Sequence, residues 1–577
     1  MSRFALPPAV NSSFRSFGTS AFHVRTADDM HSRAGALSLR TSPDYGIGPM
    51  PLSEPMPYRS ARALRQLAMV LMVLMGFAFA QTTGNREGKT NFSPASSVEY
   101  GSVNLPNLNI EWQLSIRQKL GYFSASLFRE NSKWVLWGGN QTRLLTKIEA
   151  NGGGFLPDFE LISPLGIARY ENLGVLCGLN KKYGAFEFQE PDGTLHNFSG
   201  TICQGVTGTL HDHFGWSIDY PSLTVTSPSG TVFTPSSVTD TNGNAVTKSG
   251  AEYIDFSSSN NHPLSVGATY LYYDANGTAQ NITPHYGSFI LQAKHGCSNV
   301  SDSPTASGQL LTQLDYPDGT NVQITYEPTV GAPANVTGRI KTLKLRTGAL
   351  ITYTYNGAHN GFSCEDLGTS GFTRATPDGM WTYVRSLVSG QWVTTVTAPG
   401  GQTYTSKFTG TAPYYRVSYD AKESNGSLVQ HSYDCYNGNT TGCETVTDLG
   451  TSLLTSHFVY TRFGTDTTQT FRTETYFGAN QLPTSIRQFD FDGTTRLTAT
   501  NITYGTYSAS GCSPIAGILD HPCTVLVADA NNLTMKVDYN TYDANGNLTM
   551  NQKLIGHIQS KRNTPENTLA NRWSSCA

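Results

Sequence analysis

The sequence is poor in charge. Asp, Glu, Lys and Arg make up 14% of its 577 residues, and 39 basic residues face 42 acidic ones for a formal charge of −3. So near a balance, nothing electrostatic points to a nucleic-acid partner. Sustained helical periodicity is missing outside one short apolar run, which excludes a helical bundle. Phosphate-cradling glycine loops, CxxC zinc knuckles and basic–aromatic nucleic-acid patches are missing too. No serine occupies a G-x-S-x-G elbow between a strand and a helix, and no spacing of carboxylates defines a glycosidase pair. What is plentiful is glycine (56), tyrosine (29) and small polar residues. Turn formers with aromatics read as short strands joined by tight reversals, an all-β chain.

The one apolar run is LAMVLMVLMGFAFA, Leu67 to Ala80, preceded by Arg59, Arg62 and Arg65 and ending in a small-x-small motif before Gln81. A basic flank, a short apolar core and such a motif make an export signal, and the run is shorter than a membrane span. An uncleaved anchor is the other use of the same segment. Met50 or Met56 makes a conventional start, which leaves residues 1–49 as an extension before the signal over 50–80. Residues 1–80 hold eight of the basic and four of the acidic side chains, so the exported part carries a formal charge near −7. All nine cysteines lie beyond the cleavage point, as export into an oxidising compartment favours. Cys435 with Cys443 and Cys512 with Cys523 bracket short loops and are expected to form local disulfides. Cys177 with Cys203 and Cys297 with Cys364 are weaker pairings, and Cys576 is left over.

A polar linker over 81–97 leads into alternating stretches such as LNIEWQLSI and YFSASLF, expected to form an N-terminal β domain over 98–223. From 224 to 553 one theme recurs. EPDGTLHNF (190–198, already ahead of that boundary), SPSGTVFTP (227–235), YPDGTNVQITYEP (316–328), TPDGMWTYV (376–384), APGGQTYTSKF (398–408) and FDGTTRLTAT (491–500) each place a turn ending in glycine before an alternating strand. Glycine relieves a positive backbone angle and proline presets the one before it. A second theme sets tyrosines beside the strands, as in ITYTYNG (351–357) and VDYNTYDANGNLT (537–549), where aromatic pairs bind neighbouring strands. The whole is expected to be a repetitive β-hairpin strip, with a polar tail over 554–577.

The unit YDANGNLT is spelled by Tyr542, Asp543, Gly546 and Leu548, and its first half recurs in Tyr273, Asp274 and Gly277. It closely resembles the tyrosine-aspartate repeat of the RHS/YD-repeat family of large bacterial surface and secreted proteins. Residues 311–328 and 338–357 are similar to that family's hairpins, and Tyr433-Asp434 with Gly438 is a looser version. The likeness covers much of 190–550. It implies long β-strips that spiral into a shell around a C-terminal cargo, often a toxin, with some relatives acting in competition, insecticidal complexes or adhesion. The DPxGxxxG-like signature that precedes self-cleavage in that family is not in this sequence, so a short or severed member is the expected form.

His211, Asp212 and His213, with Asp219 nearby, are the nearest thing to a metal constellation, but spacing supplies no third ligand, and a polar turn or strand surface is the reading taken. DTNGN (240–244) and DANGN (543–547) alternate oxygen ligands without the glycine and glutamate of a calcium loop, and are read as turns. Trp381 and Trp392 offer sugar-stacking rings or sheet packing, and packing is preferred. The expected function is an exported scaffold for surface display, adhesion or encapsulation, with no catalysis or cofactor of its own. Its partner would be a cell-surface glycan or protein, or an enclosed polypeptide, and membrane contact would arise only through an uncleaved signal. The alternatives are a secreted carbohydrate-active enzyme and a severed shell fragment of a polymorphic toxin.

Overall fold

The computed structural model describes residues 95–98, 101–118, 124–130, 134–137, 141–144, 148–149, 160–162 and 164–558, less 191–193, 213, 256–263, 275, 295, 297–301, 362–367, 411–413, 451–452 and 479. All of these lie in one of the chain's two compact units, Met1–Ser12 with Ala78–Ala577; the other, Ser13–Phe77, lies wholly outside them. The expected extension, signal and most of the linker also fall outside the described residues, as do His213, Cys297, Cys364 and Cys576.

Alternation becomes strand because a pleated backbone sends successive side chains to opposite faces. In Asn321–Thr329 the residues Val322, Ile324 and Tyr326 are buried while Gln323, Thr325 and Glu327 are not. The same device in Leu350–Gly357 buries Ile351 and Tyr353. Each such side chain contributes about 1.5–3 kcal/mol on leaving water.

The expected all-β hairpin strip is what forms. From Gly208–His211 to Leu548–Ile558, twenty-seven strands join into one sheet in which each pairs antiparallel with the next in sequence. The single detour is a small hairpin, Thr506–Ser508 with Gly511–Ser513, around which the sheet passes from Arg496–Tyr504 directly to Pro522–Asp529. Among the described residues the only helical elements are two single 3-10 turns, Ala358–Gly361 and Cys443–Thr445.

Two five-stranded sheets and the small hairpin Trp134–Trp137 with Gln141–Leu144 precede the long one, and each five-stranded sheet packs on it. Strands Ile167–Cys177, Asn180–Gln189 and Leu195–Phe198 share a core with the first strands of the long sheet, through Phe186, Phe188, Phe198, Trp216, Val225 and Phe233. Strands Gly101–Asn104 and Asn109–Gln118 lie against the face made by residues 246–396, burying Val103, Ile110, Trp112 and Leu114 completely. The regular face of the strip is therefore closed there by an earlier stretch of the same chain.

Candidate functional site

The repeated turn has one geometry. In Ser227–Thr231, Asp240–Asn244, Asp274–Thr278, Tyr316–Thr320, Leu345–Ala349, Ala398–Gln402, Glu423–Ser427 and Asp543–Asn547 the first residue's N–H donates to the fifth residue's carbonyl, and the fourth donates back to the first. That is a type I turn followed by a left-handed residue, the three-residue hairpin loop rather than the two-residue form that Asn-Gly often makes. The fourth residue has φ of 82° at Gly243, 78° at Gly277, 80° at Gly319 and 76° at Gly546, which explains the glycine. Aspartate in first place caps the turn. One carboxylate oxygen of Asp274 accepts from the amides of Asn276 and Thr278, and that of Asp543 from Asn545 and Asn547. Hydrogen bonds hold both carboxyls below the usual range, chiefly the backbone amide of Thr278 for Asp274 and the side-chain amide of Asn547, 2.9 Å from the second oxygen, for Asp543.

The tyrosine theme has its own geometry. The hydroxyl of Tyr326 donates to Leu311 O, Tyr355 to Ile340 O, Tyr436 to Arg416 O, Tyr504 to Pro483 O and Tyr542 to Pro522 O. In every case the acceptor lies on, or at the start of, the strand just before. Tyrosine is thus used as a rivet between neighbours, which phenylalanine could not be. Of the motif residues named from sequence, Tyr542 makes this bond, whereas Tyr273 is 41% exposed and Leu548 38% exposed. Arginines add to the aromatic face, with guanidinium carbons 3.3 Å from the Trp392 ring centre for Arg385, 3.8 Å from Phe489 for Arg472 and 3.9 Å from Tyr355 for Arg339.

Two of the buried ionic clusters involve residues singled out from sequence. Asp434 accepts from Arg416 Nε at 2.9 Å and lies 2.8 Å from His457 Nε2, whose ring stacks on Tyr436. Burial opposes its charge, but Arg416 and His457 outweigh it and hold its pKa at about 2. Tyr433-Asp434, a looser motif by sequence, thus sits inside the strand Leu428–Tyr436 and not in a turn. The second cluster sets His196 between Glu190 and Asp212, at 2.9 and 3.1 Å, under the ring of Trp216. Burial works against a charge on His196, yet the two carboxylates raise its pKa.

The remaining candidates are dispersed. His211 is exposed on the sheet surface while Asp212, its neighbour, turns inward to His196 and caps the amides of Phe214 and Trp216. Asp219 accepts from Thr209 Oγ1. Among the described residues no three His, Cys, Asp or Glu side chains converge as metal ligands. Trp392 is buried under Arg385 and donates to Gly410 O, and Trp381 packs on the core edge, so both serve the sheet. Disulfides join Cys177 to Cys203, Cys435 to Cys443 and Cys512 to Cys523, with Cα separations of 5.9, 5.1 and 5.9 Å.

No family model matches the chain, and no curated protein does. Among solved structures, a Tc holotoxin pore of Photorhabdus luminescens with a mutated TccC3 component is similar at 11% identity and a TM-score of 0.11, over 78% of this chain and 26% of that one. The TcdB2–TccC3 complex is similar at 9% identity and a TM-score of 0.11, over 77% of this chain and 30% of that one. The chain thus spans less than a third of the length of either. Likeness at that level does not carry an activity from one chain to another.

Proposed function

We propose that this chain is an exported structural wall of the tyrosine-aspartate repeat kind, a shell segment whose task is to enclose polypeptide rather than to catalyse. The observation that carries the reading is the covered face of the strip. Its regular row of Leu314, Val322, Ile324, Ile340, Leu343, Ile351 and Tyr353 buries residues 101–116, a hairpin in which Gly101–Asn104 pairs antiparallel with Asn109–Gln118. Side-chain bonds from the strip reach into that segment, from Thr394 Oγ1 to Leu105 O and from Tyr316 to Ser115 O. A row of apolar side chains with hydroxyls aimed at main-chain carbonyls suits β-hairpin polypeptide of tolerant sequence.

Binding in trans tests it. A labelled peptide of residues 101–118, added to a full-length Trp112→Ala variant that keeps its far-ultraviolet β signal, is expected to bind by fluorescence anisotropy, while wild type, already filled, does not take it up. Absence of binding to the folded variant counts against the enclosing role. Release of reducing ends from a polysaccharide panel by wild type would instead establish an enzyme.

A further inference from the structure

The small hairpin that interrupts the sheet continues into Pro514–His521, a loop tied at its base by Cys512–Cys523 and anchored by buried Ile515 and Ile518. This loop touches both ends of the sheet. On one side the Leu519 N–H donates to Pro228 O at 2.7 Å, inside the Ser227–Thr231 turn. Gly230 of that turn lies so close that a methyl there would meet Ile518 at 3.2 Å and Gly517 O at 3.3 Å. On the other side His521 Nε2 lies 3.0 Å from Gly546 O, in the last hairpin. The two ends also meet directly. The Asn242 side-chain amide donates to Asn547 Oδ1 at 2.8 Å, 305 positions away, and the Asn547 amide donates back. Thr241 adds its hydroxyl to the Asn545 carbonyl.

We propose that Pro514–His521 is a clasp that joins the Ser227–Thr231 turn, near the start of the strip, to the strip's last hairpin, and that protonation of His521 closes it. Both ring nitrogens face acceptors: Nδ1 lies 2.8 Å from Asp520 Oδ1, and Nε2 faces Gly546 O. Only the imidazolium offers two donors, so the neutral ring must give up one of these bonds. Asp520, through its hydrogen bond, is the main cause of a His521 pKa raised above 6.5, with burial opposing it. The other titratable groups at hand are Tyr542, whose ring lies 4.8 Å away, Tyr504, whose phenol also feels Asp520, and Asp543, whose carboxylate is occupied by its own turn. A group whose pKa is raised on closure stabilises the closed form below its ordinary pKa and loses that contribution as pH rises through the raised value. The clasp therefore tightens in acid and slackens as pH rises through the raised His521 pKa, whatever the wall encloses.

Hydrogen exchange on the full chain, expressed as protection relative to intrinsic rates, tests this between about pH 5 and about pH 8. Protection of the Leu519, Gly546 and Asn547 amides is expected to fall with rising pH, by up to about tenfold for each pKa unit gained on closure. The Tyr316–Thr320 turn should stay level. In His521→Gln, which keeps one bond and does not titrate, the dependence should vanish. Flat protection at the seam in wild type overturns the proposal, as does the same slope in the variant or a parallel fall at Tyr316–Thr320.

Discussion

Trp112 donates its indole N–H to the hydroxyl of Tyr353 at 3.2 Å, across 241 positions of sequence, and the two rings meet edge to face. The bond ties the segment 101–116 to the middle of the strip at a point from which water is fully excluded. Trp112→Ala is expected to cost about 3–5 kcal/mol in equilibrium urea unfolding. Tyr353→Phe keeps the ring and should cost nearer 1 kcal/mol. An unchanged midpoint for Trp112→Ala would mean that the segment is not part of the core.

The tyrosine rivets make a second prediction. Removing the hydroxyl in Tyr326→Phe or Tyr504→Phe leaves Leu311 O or Pro483 O short of a donor, at about 1 kcal/mol each. Tyr273→Phe, at an exposed position, should stay within about 0.5 kcal/mol of wild type. Equal effects at all three positions would show that the hydroxyl bonds contribute nothing of their own.

Asp434 gives the strip an acid limit. Its carboxyl titrates at about 2 in the folded chain against 3.8 ordinarily, so its stabilisation is complete above the ordinary value and is lost as pH falls through the folded one. The loss on acidification is about 2 kcal/mol. Asp434→Asn should remove that part of the pH dependence and destabilise by about 3 kcal/mol at neutral pH, because the partly buried Arg416 is then left without its partner charge. Urea midpoints of both proteins, followed from neutral to strongly acid buffer, decide it.

The turn glycines separate backbone strain from crowding. Gly277 has φ of 78° and open space around it, so Gly277→Ala should cost about 1–2 kcal/mol for the left-handed conformation alone. At Gly546 a methyl would also stand 2.7 Å from Ile518 and 2.9 Å from His521. Gly546→Ala should therefore cost clearly more, and thermal unfolding of the pair measures the difference.

Much of this fold is legible because its information is local. A turn that needs a left-handed fourth residue announces itself as glycine, and Val322, Ile324 and Tyr326 alternate because one face of their strand is buried. Cys435 and Cys443 are close in sequence for the same reason that they are close in space. What lies across from a face is not local, and there the sequence falls silent. Nothing near Trp112 points to Tyr353, and nothing near Asn242 points to Asn547. Tyr433-Asp434 has the spelling of a turn, but Arg416 and His457, on the flanking strands, make it the centre of a buried ion cluster. His211 and Asp212 are neighbours in sequence, yet His211 meets solvent while Asp212 turns inward to a His196 that nothing local announces.

Because each strand of the long sheet bonds to the one before it, a chain made from its N-terminus can add hairpins to a finished template one at a time, never waiting for a partner still to come. Such growth tolerates gain or loss of a whole hairpin, since the registers on either side survive. The reciprocal amides of Asn242 and Asn547 set the limit: one hairpin more between them, and the Asp543–Asn547 turn slides past Asp240–Asn244. The ruler for the sheet between those turns lies in two asparagines.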